Sequence, residues 1–275
     1  MSRLKEMFGL SGKVAAVTGG GGVLCGTMGK ALAAEGAKVA LLDLKEEAAQ
    51  GVAAEIERAG GRAAAVKVDV LDRGSVERAL ARIVKELGGI DILVNGAGGN
   101  HKSATTSPQM EFFDIPPDAV QFVFNLNFIG TLLPCQVFGK EFARKGRGNI
   151  VNVSSMNADR PLTKVCAYSA AKAAVSNFPR WLAVHMSQNY SKEIRVNAIA
   201  PGFFLTEQNR FLLTDEKTGA LTARGEAIVA HTPMAKFGEP EDLVGTLIWL
   251  LSPAASFVHG TVIPVDGGFS AFSGV

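Results

Sequence analysis

The sequence has few cysteines and little excess charge, and these shortages exclude several classes of protein. The 275 residues include three scattered cysteines, Cys25, Cys135 and Cys166, and no CxxC pair. A sparse, odd set of this kind indicates reduced thiols in a cytoplasmic protein rather than a disulfide scaffold. The net charge is only +2, so the composition favours neither a nucleic-acid partner nor an anionic membrane.

Metal-ligand patterns and membrane-length segments are also lacking. The four histidines are isolated and show no ligand spacing, so no metal is expected; they are His101, His185, His231 and His259. No apolar run reaches the roughly 20 residues that would cross a bilayer. Residues 1–13 are mixed and charged and lack the apolar segment of a signal peptide. The sequence therefore predicts a cytoplasmic protein with no membrane partner.

The composition and the order of the elements predict one α/β domain over residues 1–275. Hydrophobic residues make up 47% of the chain and charged residues 20%, which suits a large core and argues against disorder. Apolar runs that could form strands alternate with helix-favouring stretches. Because the runs are apolar throughout rather than at every second position, they predict a doubly wound parallel sheet with helices on both faces.

A glycine-rich turn near the N-terminus has the context of a dinucleotide site. The apolar run 14–17 precedes Thr18-Gly19-Gly20-Gly21-Gly22, and a helical stretch and a second apolar run lead to Asp43. Glycines let the backbone approach a pyrophosphate, and a helix N-terminus adds N–H groups and a positive dipole. A carboxylate about 20 residues past the turn binds the ribose hydroxyls and repels a 2′-phosphate, so Asp43 favours NAD(H). The alternatives are an ordinary tight turn and a turn-forming Asp.

Two later stretches extend this predicted site. A third strand ends at Asp69-Val70, where Asp69 could contact the adenine amino group or could equally cap the next helix. A fourth strand over residues 91–94 runs into Asn95-Gly96-Ala97-Gly98-Gly99. The side chains of that loop are small enough to leave room for the cofactor backbone.

Ser155, Tyr168 and Lys172 form a candidate catalytic set. Ser155 closes the apolar run 149–155, and Tyr168 and Lys172 are four residues apart on one face of a predicted helix. Because an ammonium stabilises a neighbouring phenolate, we expect the pKa of Tyr168 to fall from about 10. Tyr168 would then act as general acid and base, with Ser155 holding the substrate oxygen. The alternative is an exposed helical pair and a capping serine.

These motifs occur in an order and spacing that resemble the short-chain dehydrogenase/reductase family over nearly the whole chain. The stretches that carry the resemblance are Thr18-Gly19, Asp43, Asp69-Val70, Asn95-Gly96-Ala97-Gly98, Asn127, Ser155, Tyr168-Ser169-Ala170-Ala171-Lys172, Pro201-Gly202 and Val265-Asp266-Gly267-Gly268. The resemblance implies a Rossmann-type sheet of about seven strands, nicotinamide-dependent hydride transfer and, commonly, a homotetramer. It makes Asn127 the fourth catalytic residue, which fixes a water in a proton relay to Lys172.

The residues and the resemblance together predict the cofactor site. Its members are Thr18, Gly19, Gly22, Val23, Leu24, Asp43, Asp69, Val70, Asn95, Gly96, Ala97, Tyr168, Lys172, Pro201, Gly202, Phe204 and Thr206. Two features depart from the family pattern. The last glycine of the turn, Gly26, is one place late, so the turn is one residue longer. Pro179 falls inside the predicted catalytic helix and should kink or end it.

The predicted substrate site is polar and basic. Its members are Asn100, His101, Lys102, Ser155, Arg160, Asn209 and Arg210, the last two in a long segment over residues 203–239 that we expect to form a lid. Amide, imidazole and cationic groups suit a polyhydroxylated acid, whereas a fatty-acyl substrate would need an apolar channel. The alternative is that Lys102, Arg160 and Arg210 are solvated surface charges.

Stretches 19–25, 95–101 and 201–206 resemble one subfamily, the D-mannonate oxidoreductases of the short-chain type, or fructuronate reductases, of bacterial hexuronate breakdown. This resemblance implies reversible NADH reduction of D-fructuronate to D-mannonate, with the carboxylate bound by basic residues. Two alternatives stay open: another polyol, gluconate or 3-oxoacyl reductase, and a catalytically idle nucleotide-binding regulator. The complete set of Asn127, Ser155, Tyr168 and Lys172 argues against the regulator.

Overall fold

The computed structural model describes residues 3–206, 210, 213–215 and 218–274. Asn209, which the sequence predicts in the substrate site, lies outside the described residues. The strands are β1 Val14–Thr18, β2 Lys38–Asp43, β3 Arg62–Lys67, β4 Ile92–Asn95, β5 Gly148–Val153, β6 Ile194–Pro201 and β7 Val262–Val265. The helices are α1 Arg3–Phe8, α2 Val23–Ala34, α3 Glu46–Arg58, α4 Arg73–Leu87, α5 Pro117–Phe124, α6 Gly130–Lys145, α7 Cys166–Asn189, α8 Ala223–His231 and α9 Val244–Leu251.

The seven strands form one parallel sheet in the order β3-β2-β1-β4-β5-β6-β7. The prediction of a Rossmann-type parallel sheet of about seven strands is confirmed. The strand order reverses direction between β1 and β4, where the chain crosses from one half of the sheet to the other. Ligands of open α/β sheets bind at this switch point, outside the carboxyl ends of the strands.

Apolar side chains on both faces of the sheet hold the helices in place. Every residue of β1 and of β4 is buried. On one face the core continues into α4, α6 and α7, where Phe138 and Phe142 lie one helical turn apart and are fully buried. On the other face it continues into α2, α3 and α9. Burial of each such large side chain stabilises the fold by about 1.5–3 kcal/mol.

Asn127 lies within a long helical stretch. The segments α5 and α6 join through a π-helical turn, Asn125–Ile129, into one helical stretch over Pro117–Lys145. The stretch has 29 residues and contains an 18-residue window with a mean hydropathy of 1.4, so it meets the criteria for a bilayer span by length and composition alone. Half of that apolar window is buried inside the protein, which is also typical of a core helix.

The catalytic helix passes through its proline. The sequence predicts that Pro179 kinks or ends this helix; α7 continues past Pro179 to Asn189, so the proline does not end it. Pro179 is itself buried, and packing of this helix against the sheet outweighs the loss of one backbone hydrogen bond. Tyr168 and Lys172 lie well before the proline, on an unbroken part of the helix.

Candidate active site

A cleft of about 460 Å³ opens at the carboxyl ends of the central strands. Its lining combines most of the predicted cofactor and catalytic residues: Gly19, Gly22, Val23, Leu24, Cys25, Asp43, Gly96, Ala97, Gly98, Gly99, Val153, Ser154, Ser155, Tyr168, Lys172, Pro201, Gly202, Phe203, Phe204 and Thr206. A smaller cavity of about 190 Å³ shares Gly19, Asp43, Ala97 and Gly98 with the cleft. Asp69 and Val70 line this second cavity, next to Asp43, where an adenine would extend.

The lengthened glycine turn divides its glycines between the cleft and the protein interior. Gly19 has a φ of +68°, and a Cβ there would lie 3.0 Å from the Ala97 backbone nitrogen, so only glycine fits. Gly21 faces α3, where a Cβ would lie 2.6 Å from the Cβ of Ala48. Gly19 and Gly22 are therefore the two turn glycines that line the cleft. Helix α2 begins directly after Gly22, and its N-terminus faces the same cleft.

Asp43 fastens the glycine turn to the end of β2. Its Oδ2 accepts a hydrogen bond from the Gly21 backbone nitrogen at 3.1 Å, and its Oδ1 accepts one from the Lys45 nitrogen at 3.0 Å. Each carboxylate oxygen has a second acceptor site. Asp43 also lines both the cleft and the smaller cavity, so its carboxylate is within reach of a ribose bound between them.

Thr18 and Asn95 face the protein interior, although the sequence places both in the cofactor site. The Thr18 hydroxyl accepts hydrogen bonds from the backbone nitrogens of Gly96 at 3.0 Å and Ala97 at 3.2 Å. The Asn95 amide donates to the Asn152 side-chain oxygen at 2.9 Å. Both residues are 1% exposed, and neither lines the cleft. They support the loop after β4 from the side that faces the protein interior.

Ser155 and Tyr168 meet at the cleft from two elements. Ser155 follows β5 and accepts a hydrogen bond from the Asn157 nitrogen at 3.2 Å, and Tyr168 lies in the first turn of α7. Burial raises the pKa of the Tyr168 phenol, and a hydrogen bond with the Ser155 side chain partly opposes this rise. The sequence-based expectation of a lowered pKa is thus wrong for this structure, because burial outweighs the stabilising groups around the phenol.

Lys172 is buried beneath the phenol. It is 5% exposed, its Nζ donates to the Val153 carbonyl at 2.9 Å, and the same atom lies 5.6 Å from the centre of the Tyr168 ring. Burial lowers the pKa of Lys172 from 10.5 to about 8, so the side chain is mostly charged at pH 7. Burial also raises the pKa of the neighbouring Cys25 to about 12, so this cleft-lining thiol stays protonated.

Asn127 lies in the π-helical turn and locks the loop after β4. Its Nδ2 donates to the Gly99 carbonyl at 2.7 Å and to the Val123 carbonyl at 2.8 Å, and its Oδ1 accepts from the Gly99 nitrogen at 3.2 Å. A Cβ at Gly98 would lie 2.6 Å from Asn127 Oδ1 and 3.4 Å from Lys172 Nζ. Asn127 and Lys172 therefore flank the same point of the cleft.

Among the predicted substrate residues that the structure describes, Ser155 lines the cleft, and Asn100, His101, Lys102, Arg160 and Arg210 do not belong to its lining. The Asn100 amide donates to Thr105 at 2.9 Å, and the His101 ring packs edge-on against Phe122. Arg160 donates from Nε to the Ser270 carbonyl at 2.9 Å, near the C-terminus. Lys102 and Arg210 are exposed. Their role toward a substrate stays a prediction.

Several residues that line the cleft were not predicted to do so. Phe203 follows Pro201-Gly202 directly, and its position after the strand-ending proline could have indicated it. Ser154 also lines the cleft, but its hydroxyl bonds Ser176 at 2.6 Å and the Lys172 carbonyl at 3.1 Å, which supports the catalytic helix. Over the described part of the chain, no group of three or more His, Cys, Asp or Glu side chains could hold a metal ion.

The cleft has the shape and donors that a nicotinamide dinucleotide requires. A close-packed glycine turn and a helix N-terminus suit the pyrophosphate, and Asp43 suits a ribose. With the Ser155, Tyr168 and Lys172 set beside them, the fold and site define a nicotinamide-dependent oxidoreductase. A family model described as enoyl-(acyl carrier protein) reductase matches residues 25–270. The chain belongs to the short-chain dehydrogenase/reductase family.

Three relatives show where in the family the chain lies. A solved structure from Haemophilus influenza, described as a candidate D-mannonate oxidoreductase with bound NAD, is 47% identical, has a TM-score of 0.92 and covers 99% of this chain and 100% of its own. UxuB of Bacillus subtilis, described as an uncharacterized oxidoreductase, is 50% identical over 97% of this chain and 98% of its own. Gluconate 5-dehydrogenase of Gluconobacter oxydans is 33% identical over 96% and 97%.

Proposed function

We propose that the protein is an NAD(H)-dependent oxidoreductase that interconverts D-mannonate and D-fructuronate. The observation that carries this proposal is the similarity, along 99% of the chain, to the candidate D-mannonate oxidoreductase with bound NAD. The runner-up is a gluconate or polyol dehydrogenase, favoured by the relative that acts on gluconate. Both substrate groups are sugar acids or their reduced forms, so the same kind of cleft serves both functions.

The chain's own residues would hold three parts of the dinucleotide: the pyrophosphate and the two riboses. Gly19, Gly22 and the N-terminus of α2 would bind the pyrophosphate through backbone N–H groups. Asp43 would accept hydrogen bonds from the adenosine ribose hydroxyls and repel a 2′-phosphate. Lys172 would donate to the nicotinamide ribose. When bound, the nicotinamide supplies hydride transfer to and from the substrate carbon.

Proton exchange is the part of the reaction that falls to the protein. Ser155 would donate a hydrogen bond to the substrate oxygen, and Tyr168 would give its proton to that oxygen in reduction or take it in oxidation. The charge on Lys172, whose pKa is about 8, would stabilise Tyr168 whenever the phenol loses its proton. Asn127 would fix a water on the path that returns the proton to Lys172.

The substrate carboxylate would be bound at the mouth of the cleft. In this proposal Lys102, Arg160 and Arg210 would supply positive charge there, and Asn100 and His101 would supply polar groups. The segment over residues 203–239 would act as a lid, in which Phe203 and Phe204 already line the cleft. This arrangement suits a polyhydroxylated acid better than an acyl group.

We also propose that the protein acts in the cytoplasm as a homotetramer. An apolar groove of about 680 Å³ runs between α6 and α7. On this face Trp181 is 58% exposed and stacks on His185 with 4.7 Å between ring centroids, and Tyr190 is also 58% exposed. Large exposed aromatic groups of this kind favour contact with a second copy. Size-exclusion chromatography with light scattering, on the wild type and on Trp181→Glu, measures the assembly state.

The function is tested by NADH oxidation with D-fructuronate, run beside 5-ketogluconate and a 3-oxoacyl thioester and repeated with NADPH. Turnover of D-fructuronate with NADH, well above the other combinations, is the expected result. Turnover of 5-ketogluconate instead would favour the runner-up. NADH binding without turnover of any of these carbonyl compounds would support an idle nucleotide-binding regulator.

A further inference from the structure

Asn157 connects the two sides of the catalytic set. It lies two residues after Ser155, is 1% exposed, and donates its backbone N–H to the Ser155 hydroxyl at 3.2 Å. Its side-chain Oδ1 accepts hydrogen bonds from the Leu162 nitrogen at 2.7 Å and from the Ser169 hydroxyl at 2.8 Å. Ser169 follows Tyr168 directly in α7. Asn157 thus bonds Ser155 through its backbone, and through its side chain it joins the loop before α7 to the first turn of α7.

The orientation of this amide is fixed by its surroundings. The Leu162 nitrogen can only donate, so the atom that faces it must be the oxygen of Asn157. The Nδ2 atom is then buried with no hydrogen-bond partner among the residues that the structure describes. An unpaired buried donor destabilises a fold, but an apolar side chain of similar size would leave the Leu162 nitrogen and the Ser169 hydroxyl without this acceptor. Packing alone therefore does not explain an asparagine here.

We propose that Asn157 is a positioning residue that holds Ser155 and Tyr168 at the separation required for proton exchange. The proposal rests on the catalytic roles proposed above for those two residues. Without its Oδ1, Leu162 and Ser169 lose their shared acceptor, and the first turn of α7 loses its link to the residues that follow β5; the bonds of Ser154 and Lys172 hold the helix only from its next turns onward. A displacement of about 1 Å in an active site can reduce the rate by about a hundredfold.

The matched variants are Asn157→Leu, which keeps the volume but removes the acceptor, and Asn157→Asp, which keeps an acceptor for both partners. We expect Asn157→Leu to lower kcat by about ten- to a hundredfold, with the Kd for NADH changed by less than about twofold. Asn157→Asp should retain most of the rate at its own pH optimum. Near-wild-type kcat in Asn157→Leu, or equal losses in the two variants, would overturn the proposal. Should Asn157→Leu fail to fold, Ser169→Ala removes one of the two links and should lower kcat in the same way.

A second measurement needs no substrate. The chain has two tyrosines, Tyr168 and Tyr190, so in a Tyr190→Phe background the ultraviolet absorbance of phenolate reports Tyr168 alone. Ser155→Ala, which removes the hydrogen bond to the phenol, should raise the pKa of Tyr168, and Asn157→Leu should raise it in the same direction. A pKa that rises in Ser155→Ala but not in Asn157→Leu contradicts the positioning role. If the wild type reduces none of the sugar acids, the proposed function fails while this titration still decides the role of Asn157.

Discussion

Lys172 carries a charge that the fold buries, and this gives the protein a defined pH dependence of stability. In the folded protein the pKa of Lys172 is about 8, whereas the ordinary value is 10.5. Below pH 8 the lysine is charged in both states, so the cost of burying that charge is fully present. Between about pH 8 and pH 10.5 the folded lysine becomes neutral while the unfolded one stays charged. The contribution of Lys172 to the free energy of unfolding therefore rises with pH across this range.

The magnitude follows from the two pKa values. The difference between 10.5 and about 8 corresponds to about 3 kcal/mol, of which about 2.5 kcal/mol is gained by pH 10. Lys172→Met removes this titration and keeps a similar side-chain length. The unfolding free energy of the wild type minus that of Lys172→Met should thus increase by about 2.5 kcal/mol from pH 7 to pH 10. Lys172→Met also leaves the Val153 carbonyl without its hydrogen bond. That loss lowers the free energy of unfolding by the same amount at both pH values, so it cancels when the two differences are compared.

Urea denaturation at both pH values, followed by the fluorescence of Trp181 and Trp249, measures the two free energies. The matched control is Lys192→Met, which removes an exposed lysine in the turn before β6 and should leave the pH difference at its wild-type value. The reasoning is refuted if Lys172→Met differs from the wild type by the same amount at pH 7 and pH 10. That result would mean that water reaches the ammonium and that the lysine titrates as a solvated group.

Three further predictions concern the cleft. Tyr168→Phe should reduce turnover by at least about a hundredfold and change the affinity for NADH by less than about twofold, because only the proton donor is lost. Steady-state assays measure the turnover, and fluorescence titration measures the binding of NADH. A near-normal rate would exclude Tyr168 as the general acid. Asp43→Ala should lower the ratio of kcat/KM for NADH to kcat/KM for NADPH by about tenfold or more, because the repulsion between the carboxylate and a 2′-phosphate is removed. An unchanged ratio would show that the Asp43 carboxylate does not face the ribose. Gly98→Ala should lower kcat by about tenfold or more, because its Cβ would lie 2.6 Å from Asn127 Oδ1 and push that side chain and Lys172 apart. An unchanged kcat in Gly98→Ala would show that the position of Asn127 does not affect the reaction.

The strands could be predicted from sequence because they are buried on both faces. The run 14–17, for example, is apolar at every position and forms β1 to within one residue. The start of α2 could not be predicted in the same way. It begins at Val23, directly after the glycine turn, and Gly22 caps it without a side-chain hydrogen bond that the sequence could have indicated. Glycines and β-branched residues near a helix start carry little local preference, and the turn geometry that fixes them comes from β2 and α3.

The motif residues could be predicted as a group, but not the direction in which each side chain points. Thr18 and Asn95 belong to the motifs of a cofactor site, and in the structure both turn inward and bond the backbone or another asparagine. A polar residue at the end of a strand satisfies its hydrogen bonds on whichever side offers a partner. That side depends on neighbours distant in sequence, such as Asn152 on β5, which no local pattern contains.

The longer glycine turn shows why a departure from a family pattern need not alter the site. Gly20 and Gly21 lie against β2 and α3, where a Cβ at either position would meet other atoms at 3.0 Å or less. The Gly20 nitrogen donates to the Leu42 carbonyl at 3.0 Å, and the Gly21 nitrogen donates to Asp43. Gly20 and Gly21 are therefore packed against the protein interior, and neither belongs to the lining of the cleft. Gly19 and Gly22 line the cleft, and the bond from the Gly21 nitrogen holds the Asp43 carboxylate at that lining, where the proposed function requires it.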